Sequence, residues 1–121
     1  MRAGHNAVRA LNIQLKRGEI VRPFGSGWLI SSKGGFEPCP WSYDLADFCS
    51  VESTDSLLDL GCGAGPLLIA LSQAAPSLKR IIGVEMDPTR ASQAKRNIAL
   101  NELTNGQIVR ADVRDISLNT R

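Results

Sequence analysis

The sequence has few residues of the kinds that build metal sites, disulfide frameworks or membrane spans. Its three cysteines, Cys39, Cys49 and Cys62, show no Cys-x-x-Cys spacing, which predicts neither disulfide bridges nor a zinc site. The single histidine, His5, is far in sequence from Cys62, so Cys/His or Ser/His/Asp catalysis has little support. No apolar run is as long as a membrane span, and residues 1–10 lack the apolar centre of a secretory signal. We therefore expect a cytoplasmic chain with neither a metal nor a membrane partner.

Charge is distributed unevenly along the 121 residues, although the net charge is only +2. Residues 1–33 hold six basic side chains and one acidic side chain, whereas residues 34–121 hold eight basic and eleven acidic ones. A basic arm in front of a mildly acidic domain indicates a nucleic-acid partner, but charge alone is equally consistent with a solvated polar segment. We predict an N-terminal extension over 1–50 and a main domain over 51–121.

A glycine-rich stretch organises the main domain. Residues 57–67 read Leu-Leu-Asp-Leu-Gly-Cys-Gly-Ala-Gly-Pro-Leu, which predicts a buried strand, a tight loop and the start of a helix. Glycine permits the positive φ angles of such a loop and lets a ligand approach the backbone. Pro66 suits the first position of the helix, whose free N–H groups would face the ligand.

Two further strands and a second helix follow this stretch. The apolar pattern predicts strands over 57–60, 81–85 and 107–111, with helices over 66–75 and 88–100 between them. Strand, helix, strand, helix, strand forms two successive βαβ units with adjacent parallel strands. We predict an α/β fold: the N-terminal half of a Rossmann-like, doubly wound parallel sheet.

In the extension, the sequence predicts a helix, a β-hairpin and a second helix. Apolar spacing predicts a helix within residues 4–17, and residues 25–27, Gly-Ser-Gly, predict a three-residue hairpin loop. Residues 41–49 place Trp41, Leu45, Phe48 and Cys49 on one helical face. We expect Trp41 and Phe48 to pack in the core.

Three acidic residues are predicted at the carboxyl edge of the sheet, where ligands of this fold bind. Glu85 closes the second strand and can accept hydrogen bonds from both hydroxyls of a ribose, in a nicotinamide or an adenosyl cofactor. Asp112 follows the third strand and can accept from an adenine amine. Asp59 could hold N–H groups of the glycine loop or meet a cofactor ammonium. Cys62 lies at a helix N-terminus, where a thiol can become more acidic, but we interpret it as a small loop residue.

Three motifs together resemble class I S-adenosylmethionine-dependent methyltransferases. They are residues 57–67, residues 81–87 (Ile-Ile-Gly-Val-Glu-Met-Asp) and residues 111–115 (Ala-Asp-Val-Arg-Asp). The resemblance implies S-adenosyl-L-methionine as cofactor. It implies contacts of Asp59, Gly61 and Gly63 with its amino-acid part, of Glu85 with the ribose, of Met86 with the adenine face and of Asp112 with the adenine amine. The full candidate cofactor set is Asp59, Gly61, Cys62, Gly63, Gly65, Glu85, Met86, Asp112 and Val113.

The N-terminal extension resembles one particular group within this family. Residues 34–36 (Gly-Gly-Phe), 41–48 (Trp-Ser-Tyr-Asp-Leu-Ala-Asp-Phe) and 97–101 (Asn-Ile-Ala-Leu-Asn) are similar to bacterial adenine-N6 methyltransferases of valine tRNA. That similarity implies tRNA as partner and an adenine amino group as target. It departs from the family at Trp41, where an aspartate is expected.

The sequence contains no Asn-Pro-Pro-Tyr run, the motif that holds the target amine in that family. No catalytic residue is therefore identified. A non-catalytic cofactor-binding or assembly module, or a fragment, remains the alternative, and an NAD-dependent oxidoreductase is a third, disfavoured because Pro66 takes the place of its last glycine. The missing fourth strand would also leave strand 57–60 as an open apolar edge, which predicts self-association.

Overall fold

The computed structural model describes residues 2–34, 41–52 and 55–117, without the side chains of residues 2 and 41–43. In chain order the elements are α1 (Arg2–Ala10), β1 (Glu19–Phe24), β2 (Gly27–Ser32), α2 (Trp41–Phe48), β3 (Ser56–Leu60), α3 (Pro66–Ala74), β4 (Arg80–Glu85), α4 (Pro88–Leu100) and β5 (Gly106–Arg110). None of the helices in these ranges is long and apolar enough to cross a bilayer.

The main domain is built on a parallel sheet with the order β3-β4-β5. The predicted α/β architecture and the adjacency of its three strands are confirmed. Asp59 lies opposite Gly83 in the β3–β4 register, and Glu85 lies opposite Arg110 in the β4–β5 register. The carboxyl ends of all three strands therefore meet at one edge of the sheet, which we call the carboxyl edge.

Helices α3 and α4 start where local chemistry predicts. Each has a proline in its first turn, and the Asp87 side chain caps α4 by accepting a hydrogen bond from Arg90 N. The glycine at β4 position 83 lets α3 approach closely, since a Cβ there would lie 2.7 Å from Leu68 Cδ1 and from Cys62 Sγ. Leu68, Ile69, Leu71 and Ile81 are fully buried in this core.

The N-terminal helix is shorter than the sequence predicts. It ends at Ala10, and Asn12 adopts a left-handed backbone conformation with φ 55°, so Leu11 and Leu15 lie outside it. Asparagine accepts this conformation more readily than most residues, because its short polar side chain can hydrogen-bond locally. The apolar spacing of Leu11 and Leu15 therefore serves an irregular segment, in which Leu15 packs beside Val8.

The β-hairpin forms, but with a two-residue turn. Gly27 pairs with Phe24, leaving only Gly25 and Ser26 in the loop, so the prediction of a three-residue loop was wrong. Gly25 supplies the positive φ of 57° that the tight turn requires. A Cβ at Gly25 would also collide with the side chain of Gln73, whose amide donates to Phe24 O at 2.9 Å.

Helix α2 ends one residue before the predicted end at Cys49 and buries a different face. Phe48 is 86% exposed and Leu45 is 47% exposed, so the prediction that Phe48 packs in the core was wrong. Ala46 is buried instead, and Cys49 packs partly against the same cluster. The packed face is therefore the one that carries these small residues, and the large side chains lie outward. The side chain of Trp41 and residues 35–36 of the Gly-Gly-Phe motif lie outside the described residues.

Strand β3 has one edge that no strand in the described ranges covers. Leu57 packs against the core, whereas Leu58 and Leu60 are 41% and 53% exposed. Side chains alternate between the two faces of a strand, so Leu58 and Leu60 lie on the face opposite the α3 core. The prediction of a buried strand over 57–60 was therefore wrong for these two leucines, and among the described strands β3 lies at one edge of the sheet.

Candidate functional site

The glycine loop is fixed on the end of β4 by its own backbone. The N–H groups of Gly61 and Cys62 both donate to Val84 O, at 2.8 and 3.0 Å. Gly61, Gly63 and Gly65 have φ values of 77°, 59° and 93°, a region that strains any residue with a Cβ. A Cβ at Gly61 or Gly63 would meet no atom within 4 Å. Backbone conformation, rather than crowding, therefore demands these two glycines, and the space above the loop is open.

Glu85 connects the loop to the start of α4. One carboxylate oxygen accepts a hydrogen bond from Gly63 N and the other accepts from Asp87 N, both at 2.8 Å. Bonds from N–H groups to an ionised carboxylate are among the stronger hydrogen bonds in proteins. Glu85 therefore holds the glycine loop and the start of α4 in place. The sequence alone predicts for it only the role of accepting hydrogen bonds from ribose hydroxyls.

Two acidic groups lie close together beneath the loop. Burial, together with the neighbouring Glu85 carboxylate, raises the pKa of the Asp59 carboxyl. No hydrogen bond from the glycine loop to Asp59 is found among the described residues, so the loop-holding role belongs to Glu85. A cation close to Asp59 would stabilise the ionised form of its carboxyl and so oppose the effects of burial and of Glu85.

The Cys62 thiol is buried and unreactive in character. Burial, and then the charges of Asp59 and Glu85, raise its pKa to about 12. Its sulfur donates a weak hydrogen bond to Gly63 O at 3.5 Å. A thiol at a helix N-terminus can become more acidic, but here burial and two carboxylates oppose that effect. The interpretation of Cys62 as a small loop residue agrees with this environment.

Asp112 lies next to Glu85 across the sheet. Ala111 N donates to Glu85 O at 3.2 Å, which brings the residue after β5 to the carboxyl edge. The Asp112 carboxylate accepts from Arg114 Nε at 3.0 Å and from Arg114 N at 2.9 Å, and these bonds hold its pKa below the usual value. Sequence reasoning missed the role of Arg114, although this residue belongs to the third motif and lies two positions after Asp112.

Two exposed apolar side chains complete the edge. Met86 follows Glu85 and is 60% exposed, and Val113 follows Asp112 and is 48% exposed. Glu85 ends β4 and Asp112 follows β5, so both lie at the carboxyl edge, and each is followed by one of these apolar side chains. Across the described part of the chain, no group of three His, Cys, Asp or Glu residues is arranged to hold a metal ion.

Asn97 is the buried residue that sequence reasoning did not assign. It is fully buried in the middle of α4, where its amide nitrogen donates to Ala64 O at 2.8 Å and to Ile30 O at 3.0 Å. Its amide oxygen accepts from Ile30 N at 2.6 Å. One side chain therefore joins the glycine loop to the hairpin. The sequence feature that could have indicated this role is a polar residue on the apolar face of a predicted helix.

The fold and this site define a class of α/β proteins that bind nucleotide-like ligands at the carboxyl edge of a parallel sheet. A family model described as a methyltransferase domain matches residues 57–121, more than half of the chain. The chain therefore belongs to the methyltransferase-domain family.

Known proteins of several kinds resemble this chain. It is 35% identical over 66 residues to a ribosomal protein L11 methyltransferase of Clostridium botulinum, covering 54% of this chain and 20% of that protein. It is 47% identical over 57 residues to an uncharacterized RNA methyltransferase of Chlamydia muridarum, covering 47% of this chain and 14% of that protein. The crystal structure of M. jannaschii TYW2 in complex with AdoMet superposes with a TM-score of 0.73 and 22% identity, over 88% of this chain and 49% of that chain. The chain thus spans about a fifth or less of the two curated relatives.

Proposed function

We propose that the chain is the cofactor-binding part of an S-adenosylmethionine-dependent methyltransferase that modifies RNA. The observation that carries this proposal is the hydrogen bond from Gly63 N to Glu85 at the carboxyl edge. It joins the two motifs that the cofactor would touch. Membership of the methyltransferase-domain family and the solved AdoMet complex of a structural neighbour support it.

The open edge fits an adenosyl sulfonium amino acid. The free space above Gly61 and Gly63 leaves room for its amino-acid part, and the Asp59 carboxyl would meet the ammonium. Glu85 has lone pairs left for ribose hydroxyls after accepting its two backbone bonds. The cofactor supplies the reactive methyl group, whereas the chain binds and orients it.

The adenine would lie between apolar neighbours of the two carboxylates. Met86 and Val113 are exposed at that edge, where an aromatic base would cover them. Asp112 would accept a hydrogen bond from the adenine amine while keeping its bonds to Arg114. Gly61, Gly65 and Cys62 would contribute backbone and loop shape. We assign this work to a domain over 51–121 and treat 1–50 as its extension.

For the substrate we propose an adenine amino group of tRNA, in the cytoplasm. The basic balance of residues 1–33 supports a polyanionic partner, and one relative is an RNA methyltransferase. The relative that is a ribosomal protein methyltransferase makes a protein the competing substrate. A methyl-transfer assay with tritiated cofactor, offered tRNA and ribosomal protein separately, distinguishes these substrates.

Calorimetry tests the cofactor assignment directly. We expect S-adenosylhomocysteine to bind the chain with a dissociation constant in the micromolar range, and NAD to show no heat. Binding of NAD in preference to S-adenosylhomocysteine would overturn the proposal in favour of an oxidoreductase. Cofactor binding without methyl transfer to any substrate would identify the chain as a non-catalytic module.

We also propose that a second copy of the chain pairs along the free edge of β3. The unpaired backbone groups of this strand and the exposed Leu58 and Leu60 favour strand addition. Light scattering over a concentration series should show a dimer, and Leu58→Lys should weaken it about tenfold because a charged side chain opposes edge pairing. Leu11→Lys is the matched control, since Leu11 is 39% exposed on another surface. A monomer at all concentrations contradicts this pairing.

A further inference from the structure

Four exposed basic residues gather beside the start of α4. They are Lys16, Arg17, Lys33 and Arg90, which we call the basic rim. Lys16 Nζ donates to Ser92 Oγ at 3.0 Å, and Lys33 N donates to Gly18 O at 2.7 Å. These two bonds place the turn that follows Lys16 between α4 and the end of β2.

The rim lies toward the carboxyl edge of the sheet because of the way the hairpin runs along α4. Gln93 Nε2 donates to Ser32 Oγ at 2.8 Å, and Asn101 Nδ2 donates to Trp28 O at 2.8 Å. Strand β2 therefore runs antiparallel to α4 and ends near its N-terminal half. Since α4 begins directly after β4, the residue that follows β2, Lys33, lies on the same side of the molecule as Glu85.

Glu19, the acidic residue of this turn, does not offset its positive charge. Glu19 is bound by both terminal nitrogens of Arg96 at 2.5 and 2.7 Å, and its side chain is only 4% exposed. Gly18, at the tip of the turn, has open space around it. The positive groups of the turn are thus presented to solvent, whereas the carboxylate of Glu19 is turned inward and bound by Arg96.

We infer that the basic rim holds the phosphate backbone of the RNA whose base enters the carboxyl edge. The inference rests on the proposed function for its substrate class. Lysine and arginine side chains on one face supply the sequence-independent part of nucleic-acid affinity. At the start of α4 the rim lies beside the cofactor edge without occupying it, so backbone and base are held by different groups.

A charge-matched pair of double variants tests the inference. Arg17→Ala with Lys33→Ala removes two rim charges and leaves the Lys16 hydrogen bond intact. Lys79→Ala with Arg80→Ala removes two exposed charges from the opposite end of the sheet. Fluorescence anisotropy with an unmodified tRNA transcript should show about tenfold weaker binding for the rim variant and less than twofold for the control.

The salt dependence gives a second measurement. Each phosphate contact contributes about 0.7–0.9 to the slope of log affinity against log salt, so the rim variant should lose about 1.4–1.8. Equal losses in both double variants, or none in either, would overturn the inference.

The proposals for the basic rim and for the cofactor site can be refuted independently of each other. S-adenosylhomocysteine binding, measured by calorimetry, should be unchanged in both double variants. Cofactor binding without tRNA binding in the unmodified chain refutes the rim and leaves the cofactor assignment standing. Binding of tRNA that depends on the rim, without binding of the cofactor, refutes the cofactor assignment and leaves the rim standing.

Discussion

Asn97 and Ile30 form a two-way hydrogen-bonded pair between the middle of α4 and the outer edge of the hairpin. The amide nitrogen donates to Ile30 O at 3.0 Å, and the amide oxygen accepts from Ile30 N at 2.6 Å. One turn along, Asn101 repeats the pattern with Trp28, accepting from its N–H at 3.1 Å and donating to its carbonyl at 2.8 Å. Two side-chain amides on a helix thus take the place of a neighbouring strand.

Asn97→Ala should destabilise the chain by about 2–3 kcal/mol, because it leaves the buried backbone groups of Ile30 and the half-buried carbonyl of Ala64 without this partner. Urea unfolding followed by circular dichroism measures this loss. Asn6→Ala, at an exposed position of α1, is the control and should change stability by less than about 0.5 kcal/mol. Equal effects of the two substitutions would refute the role given to Asn97.

Glu85→Gln should weaken S-adenosylhomocysteine binding about tenfold or more. A glutamine offers only one acceptor atom, so it cannot accept from Gly63 N and Asp87 N with separate oxygens, and it lacks the negative charge. Calorimetry measures the affinity, and Glu52→Gln at an exposed position is the control. Undiminished affinity in the Glu85 variant would show that the glycine loop keeps its shape without this carboxylate.

The pair formed by Glu19 and Arg96 should make stability depend on pH. Burial works to raise the pKa of Glu19, but hydrogen bonds from Arg96, Lys16 N and Gln93 outweigh it, so the pKa is lowered. The ionised form is therefore favoured in the folded state. Its stabilisation is complete above the unfolded pKa of about 4.3 and is lost as the pH falls through the lower folded value.

Glu19→Gln should accordingly cost about 1–3 kcal/mol at neutral pH, as expected for bonds to a charged group. The difference from the unmodified chain should shrink as the pH falls below about 4. Urea unfolding at several pH values measures it. A difference that stays constant down to the lowest pH at which the chain folds would show that the charge of Glu19 contributes nothing.

Cys62 should resist alkylation in the folded chain at pH 8. Its buried thiol has a pKa of about 12, so the reactive thiolate is scarce. Peptide mapping by mass spectrometry after brief iodoacetamide treatment measures labelling at this site. The same treatment in urea is the control and should label Cys62 fully. Rapid labelling of the folded chain would mean that the glycine loop opens readily.

The α/β core was predictable from the sequence because its signals are local and agree with one another. Apolar runs mark the strands, Pro66 and Pro88 mark helix starts, and Asp87 is a capping residue. Three carboxyl ends at one edge follow from parallel topology alone. The positions of Glu85 and Asp112 at the site could therefore be predicted from the sequence alone.

The errors fall where long-range packing decides. Phe48 was predicted to be in the core from its spacing, yet the buried face of α2 is the one whose small Ala46 allows close approach. No local signal states which of two apolar faces a short helix buries. The bonds of Glu85 to Gly63 and of Asn97 to Ile30 join residues 22 and 67 positions apart, and only the folded chain brings them together.

The amides of α4 have a consequence for how copies of this chain could meet. By occupying the hydrogen-bonding groups of Trp28 and Ile30, they prevent β2 from serving as a template for a foreign strand. Among the described strands, the outer edges of β3 and β5 receive no such protection. Misassembly during expression or refolding should therefore begin at the edges of the parallel sheet, and remedies for poor solubility belong there rather than on β2.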